Sequence, residues 1–174
     1  MTDENPTAAP AGQPAADPNA PVVTPQALYI KDCSFEAPNG PFMPNQGEQL
    51  PAPTVSLNIG TKANAIGQDT HEVILQVNLE AKAGEQIVWL LELQQAGAFL
   101  IRNLSANDVS QVLSVMAPNY LMAYARATIS DLVTKGGFPP FLLPLVTFEG
   151  LQAARAAQQQ ATAADQTPPT PAVN

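Results

Sequence analysis

The chain has 174 residues, 45% of them apolar, and a formal net charge of −8 from 15 acidic and 7 basic residues. No basic cluster exists, so the electrostatic footprint of a nucleic-acid binder is missing, and a surface of this sign attracts basic polypeptide rather than phosphate or anionic lipid. One cysteine and one histidine, Cys33 and His71, leave neither an internal disulfide nor a Cys/His zinc site of the chain's own to be expected.

Residues 1–26 and 152–174 are rich in Pro, Ala and Gln. Neither stretch has the large apolar side chains that offset the entropy of ordering a chain, so both are expected to be disordered tails. Between them, residues 27–151 are enough for one core and one domain. No apolar run approaches a membrane span, and the N-terminus carries acids where a signal peptide has bases. A soluble, cytoplasmic protein is expected.

Residues 28–36 alternate as a first strand, with Tyr29, Cys33 and Phe35 on one parity and Asp32, Ser34 and Glu36 on the other. A proline-rich connection follows that cannot continue a ladder, yet it contains Phe42, Met43 and Leu50. Residues 54–59 and 71–82 alternate again, the second most cleanly, with Val73, Leu75, Val77 and Leu79 on one side. Ala83-Gly84 is short enough for a hairpin turn into a strand over 85–95. That strand has Ile87, Trp89, Leu91 and Leu93 on one face, and Val88 and Leu90 beside Glu92 on the other. It is therefore apolar on both sides, unlike the strands of most small antiparallel sheets. Gly97 suggests a bulge or bend before Phe99.

Ser105 to Asp108 fits a capping box that opens a helix. Pro118 is best placed at the start of a second helical segment, which ends at Gly136-Gly137 and carries Ala123, Ala125 and Ala127. Residues 138–146 are apolar but broken by three prolines, and Thr147 can cap a last helix with Phe148 and Leu151 one turn apart. Four strands followed by helices give an α+β order. The two-sided strand and the Ala-lined helix leave more apolar surface than one chain covers, which predicts an oligomer.

No catalytic set is present. His71 stands at a strand start with no nucleophile in a shared motif, and Cys33 lies on the expected core face as an inert thiol. Phosphate-cradling glycine motifs are missing. The chain is not expected to be an enzyme or to need a cofactor. An acidic protein with apolar, proline-held irregular segments suits the binding of varied apolar side chains, as in a holder of unfolded chains or an adaptor.

The segment Lys31-Asp-Cys-Ser-Phe-Glu-Ala-Pro-Asn39 resembles the first-strand signature of the bacterial protein-export chaperone SecB. Three further stretches of that family follow in order: Leu91-Glu-Leu-Gln-Gln95 with Gly97 and Phe99, Pro118-Asn119 with Tyr124-Ala-Arg126, and Gly137-Phe-Pro139 with Pro144 and Phe148. The resemblance implies a four-stranded antiparallel sheet with helices packed on one face, assembled as a dimer of dimers. It also implies an ATP-independent holdase that binds unfolded preproteins and delivers them to the translocation motor SecA, through that motor's zinc-bearing basic tail. The metal would belong to the partner. The motor-docking positions carried over are Asp32, Glu36, Leu90 and Glu92, and the tetramer-interface positions are Leu91, Leu93 and Gln95. Client-groove residues expected on the same basis are Phe42, Met43, Leu50, Phe138, Phe141, Leu142 and Phe148. The alternative is a SecB-like chaperone dedicated to one partner such as an antitoxin, against which the retained docking quartet argues.

Overall fold

The computed structural model describes residues 19–41, 52–151 and 153. Phe42, Met43 and Leu50, and nearly all of both expected tails, lie outside the described residues. Four strands, β1 (Val22–Glu36), β2 (Thr54–Ala65), β3 (Thr70–Ala83) and β4 (Gln86–Arg102), form one antiparallel sheet in the order β1-β4-β3-β2. A helical rod over 106–135 crosses one face of it, and the other face carries no helix. This is the α+β architecture expected.

The strands are longer than their alternation suggested. β1 starts at Val22, inside the stretch assigned to a tail, because it is an edge strand and an edge accommodates Pro25, here opposite Phe99. β2 runs on to Ala65 through Gly60, Thr61 and Lys62, which have no apolar alternation, and turns into β3 through Ile66–Asp69. The β3–β4 turn is Gly84-Glu85, one residue later than expected, with Gly84 at φ 60.

Gly97 makes no bulge. It pairs with Leu28 on one side and Val73 on the other, and the ladder continues through it to Arg102. A Cβ there would stand 2.9 Å from Phe99 Cε2, 3.0 Å from Leu28 Cδ2 and 3.1 Å from Leu121 Cδ2, so the missing side chain is what lets the helix sit down. The register slips elsewhere: Gln26 and Lys31 are extra residues of β1, and Val88 is an extra residue of β4. The slip at Lys31 reverses the side of everything before it. Tyr29, expected on the face of Cys33 and Phe35, therefore lies on the opposite one, and Leu28 takes the helix side.

The helical rod consists of α1 (Ala106–Gln111), a π-helical turn Val112–Met116 and α2 (Ala117–Lys135). Ser105 caps it as expected, its hydroxyl accepting the Asp108 N–H at 3.2 Å. Pro118 does not break the rod. The π turn lets the Ala117 N–H reach back to Val112, which absorbs the proline without ending the helix. On α2, Leu121, Ala125, Ile129 and Val133 recur every four residues and are all buried against the sheet. Each large one contributes about 1.5–3 kcal/mol on burial. Gly137, at φ 86, ends α2 as expected. Segment 138–147 is irregular, and a short helix begins at Phe148.

Candidate binding surfaces

Cross-strand pairing decides which side chains share the bare face of the sheet. Glu36 pairs with Leu90, which pairs with Glu80, which pairs with Ser56. The next rung is Ser34, Glu92, Asn78 and Asn58, and the one after is Asp32, Gln94, Gln76 and Gly60. Asp32, Glu36, Leu90 and Glu92 thus converge on one end of one face. A trough of about 580 Å³ opens there, lined by Glu36, Glu80 and Glu92 with Leu90 among them and by no Lys or Arg. Glu80 is the only one of these acids with a salt bridge among the described residues, to Lys82 on its own strand. Glu36 and Glu92 keep their charge for a partner.

Towards the other end of the same face, the bulge places Tyr29 and Lys31 over Glu72. Lys31 Nζ lies 2.8 and 2.7 Å from the two Glu72 carboxylate oxygens, and the Tyr29 hydroxyl donates to the same carboxylate. The ammonium, then the phenol, hold the Glu72 carboxyl below its ordinary range, although burial works against them. The Tyr29 hydroxyl is correspondingly raised, chiefly because it donates to Glu72. This buried carboxylate is satisfied within the protomer.

On the helix side, aromatic rings gather where β1, β4 and the irregular segment meet. Phe35 stacks near Trp89 with centroids 6.2 Å apart, and Phe138 lies 6.3 Å from Phe35. Phe141 stands edge-on to Trp89 at 5.8 Å. Gly136 permits this closeness, since a Cβ there would fall 2.4 Å from the Phe35 ring. Of the expected groove residues, Phe138 and Phe141 are half-buried in this cluster and Leu142 is 83% exposed. Phe148 is a core residue instead, 3% exposed, because the last helix turns it inward beneath α2. Phe35 and Trp89 were not singled out for the groove. The signal was present: Phe35 shares the parity of Leu91 across the ladder, and Trp89 is the only tryptophan.

Leu91, Leu93 and Gln95 lie on the helix side and are buried within a single protomer, at 0, 1 and 3% exposure. Gln95 Nε2 donates to the Tyr29 carbonyl at 3.0 Å, which helps seat the β1 bulge. Exposed on the helical rod are Met116, Tyr120 and Tyr124, with Ala123 and Ala127 beside them. The two tyrosine rings lie 5.6 Å apart. Cys33, paired with Leu93 on the helix side, is nevertheless exposed, because α2 does not reach over that stretch of the edge strand. Partial burial and then the Asp32 charge raise its thiol. His71 is half-buried beside Phe99, and its Nδ1 has no partner among the described residues. Neither has a catalytic neighbour, and the described residues contain no group of three or more potential metal ligands. No helix among them is long and apolar enough to cross a membrane.

The family model described as preprotein translocase subunit SecB matches residues 16–159. Among curated relatives, the protein-export protein SecB of Nitrosococcus oceani is 41% identical over 139 residues, covering 80% of this chain and 84% of the relative. That of Pseudomonas putida is 39% identical over 153 residues, covering 88% and 90%. Among solved structures, the SecB-like chaperone Rv1957 of Mycobacterium tuberculosis, in complex with a peptide from the HigA1 antitoxin, superposes with a TM-score of 0.58 at 16% identity. The superposition covers 72% of this chain and 91% of that one, and it shows a shared fold.

Proposed function

Because the chain belongs to the SecB family of protein-export chaperones, which are not enzymes, we propose that it is an ATP-independent holdase. It binds unfolded precursor proteins in the cytoplasm and delivers them to the translocation motor SecA. The observation that carries the delivery step is the convergence of Asp32, Glu36, Leu90 and Glu92 on one bare sheet face. A trough with unpaired carboxylates around a central leucine suits a small basic domain with an apolar contact, as the zinc-bearing tail of the motor would present. Complementary charge of this kind raises the encounter rate and fixes orientation.

Client polypeptide is held on the other side. The rings of Phe138 and Phe141, with Leu142, form one wall of the groove, and Phe42, Met43 and Leu50 of the proline-rich connection are assigned to the other. Several weak apolar contacts of about 1.5–3 kcal/mol each suit clients of varied sequence better than one tight pocket. Assembly as a dimer of dimers multiplies these contacts by avidity. The exposed tyrosines and alanines of α2 support that assembly, with Leu91, Leu93 and Gln95 shaping the seat on which α2 presents them.

The test is the refolding of a slow-folding precursor diluted into stoichiometric amounts of this protein without nucleotide. Refolding is expected to stop, and to resume or pass into translocation when the motor is added. Free refolding of several unrelated precursors, with arrest of one dedicated partner only, would replace this reading with that of a single-client chaperone.

A further inference from the structure

Two polar side chains of α2, Asn119 and Arg126, are turned to the irregular segment that follows the helix. Asn119 Oδ1 accepts the Phe148 backbone N–H at 3.3 Å, and its Nδ2 donates to the Glu149 carboxylate oxygens at 3.0 and 3.1 Å. Arg126 Nη2 donates to the Pro144 carbonyl at 3.0 Å. Seven residues along an α-helix is about two turns, so both contacts leave from nearly the same face, about 10 Å apart. Tyr124 and Ala125 of the same sequence stretch make no such contact, which separates these two residues from their neighbours.

The segment they grip has little else to hold its backbone. Pro139, Pro140 and Pro144 have no N–H to donate. Among the described residues, the backbone bonds at its ends are Phe138 N–H to Val133 and Leu151 N–H to Thr147, and no backbone–backbone bond joins the stretch between them to the body. Inside it, Leu143 is 7% exposed while Leu142 and Leu145 are 83% and 84% exposed. Leucines this open stand out as deliberate contacts only if the backbone beneath them is fixed.

We infer that Asn119 and Arg126 are positioning residues for client capture: they strap segment 138–148 to α2 so that Leu142 and Leu145 project as two apolar contacts for an unfolded polypeptide. This rests on the holdase reading, and it extends the groove from Phe141 to Leu145. The occupant is a client chain rather than a second copy, because the leucine pair adjoins the half-buried Phe138 and Phe141 rings on the helix side.

A double-mutant cycle in the full chain tests it, with a permanently unfolded, carboxymethylated model protein as the probe. Asn119→Ala/Arg126→Ala and Leu142→Ser/Leu145→Ser are each expected to weaken binding about tenfold, and combining the two pairs to add little. A purely structural role would give additive losses, and these would overturn the proposal. Amide exchange over 141–147 is expected to quicken in the Asn119→Ala/Arg126→Ala protein while the β3–β4 ladder keeps its protection. Arg126→Lys, which keeps a donor for the Pro144 carbonyl, is expected to restore most of the affinity. If the double variant fails to fold, Arg126→Ala alone carries the test, since its contact is at the surface. Unchanged affinity, or a changed oligomeric state in Leu142→Ser/Leu145→Ser at unchanged affinity, overturns the proposal. A wild-type protein that holds no client at all sinks the holdase reading instead, and the exchange rates then still decide whether the strap exists.

Discussion

Phe35 and Glu36 are consecutive residues of β1 that stand on opposite sides of the sheet, Phe35 paired with Leu91 on the helix side and Glu36 paired with Leu90 on the bare side. One peptide unit separates the aromatic cluster from the acidic trough. A charge change in the trough removes no ring from the cluster, and a truncated ring removes no carboxylate from the trough. The two surfaces are therefore separable by single substitutions, although a one-residue slip of β1 would exchange them.

Glu92→Lys reverses the charge at the middle rung of the trough. Affinity for the zinc-loaded tail of the motor is expected to fall about tenfold at low salt, with a smaller contrast as salt rises. Client holding is expected to be unchanged. Titration of the tail peptide at two ionic strengths measures both points, and equal affinities for variant and wild type would contradict the docking assignment.

Phe141→Ala removes the ring that stands edge-on to Trp89. Stability is expected to drop by about 1–3 kcal/mol, and the emission of the single tryptophan to move to longer wavelength as water reaches it. Client affinity should fall with it, while tail binding on the other face stays as it was. Fluorescence and the refolding assay read these together.

Tyr124→Asp places a charge on the exposed face of α2 without touching the core. A smaller assembly in sedimentation, with an unchanged sheet by circular dichroism, is the expected outcome. Leu93→Arg is a different experiment, because Leu93 is 1% exposed inside one protomer. An unpaired buried charge there costs about 3–5 kcal/mol and is expected to unfold the chain before it divides any assembly. A Tyr124→Asp protein of wild-type mass would leave α2 without a role in association.

Glu72 has a pH dependence whose sign is fixed by its partners. Lys31 and Tyr29 lower its carboxyl in the folded state, so the stabilisation is present above the unfolded value of about 4.3 and is lost as pH falls through the lower folded value. Glu72→Gln is expected to cost about 1–2 kcal/mol at neutral pH, modest because Lys31 is 41% exposed. Its melting temperature should fall less than that of wild type on going from pH 5 to about pH 3. Parallel curves for the two proteins would show that the triad is energetically idle.

Gly97→Val forces a branched side chain into the space between Phe99, Leu28 and Leu121. A loss of about 1–3 kcal/mol is expected from overpacking, with α2 pushed off the sheet. Denaturant unfolding measures it, and a loss below about 0.5 kcal/mol would show that α2 can shift at little cost.

Much of the fold could be read from residue order. The alternation of Val73, Leu75, Val77 and Leu79 marks β3, and the Leu90/Glu92 parity puts both on the bare face, because alternation on a strand is a local property. Asp32 and Glu36 kept their shared side for the same reason, both lying beyond the bulge. Tyr29 did not, since a bulge is a register fact and register belongs to two strands at once. Gly97 was misread as a bend because a missing side chain looks the same in sequence whether it serves a turn or a close approach. Pro118 suggested a break, and only the π turn before it shows how the rod continues.

Composition, alternation and the four ordered motifs determined the architecture, the family and the docking face, since each depends on residues near one another in the chain. The tertiary structure decided what distant residues do together. It sent Phe148 to the core, joined Phe35 and Trp89 to the groove, closed Lys31 and Tyr29 over Glu72, and tied Asn119 and Arg126 to a segment up to 30 residues away. Those outcomes follow from packing between elements, and packing is set by shape and register across the whole sheet rather than by any local pattern.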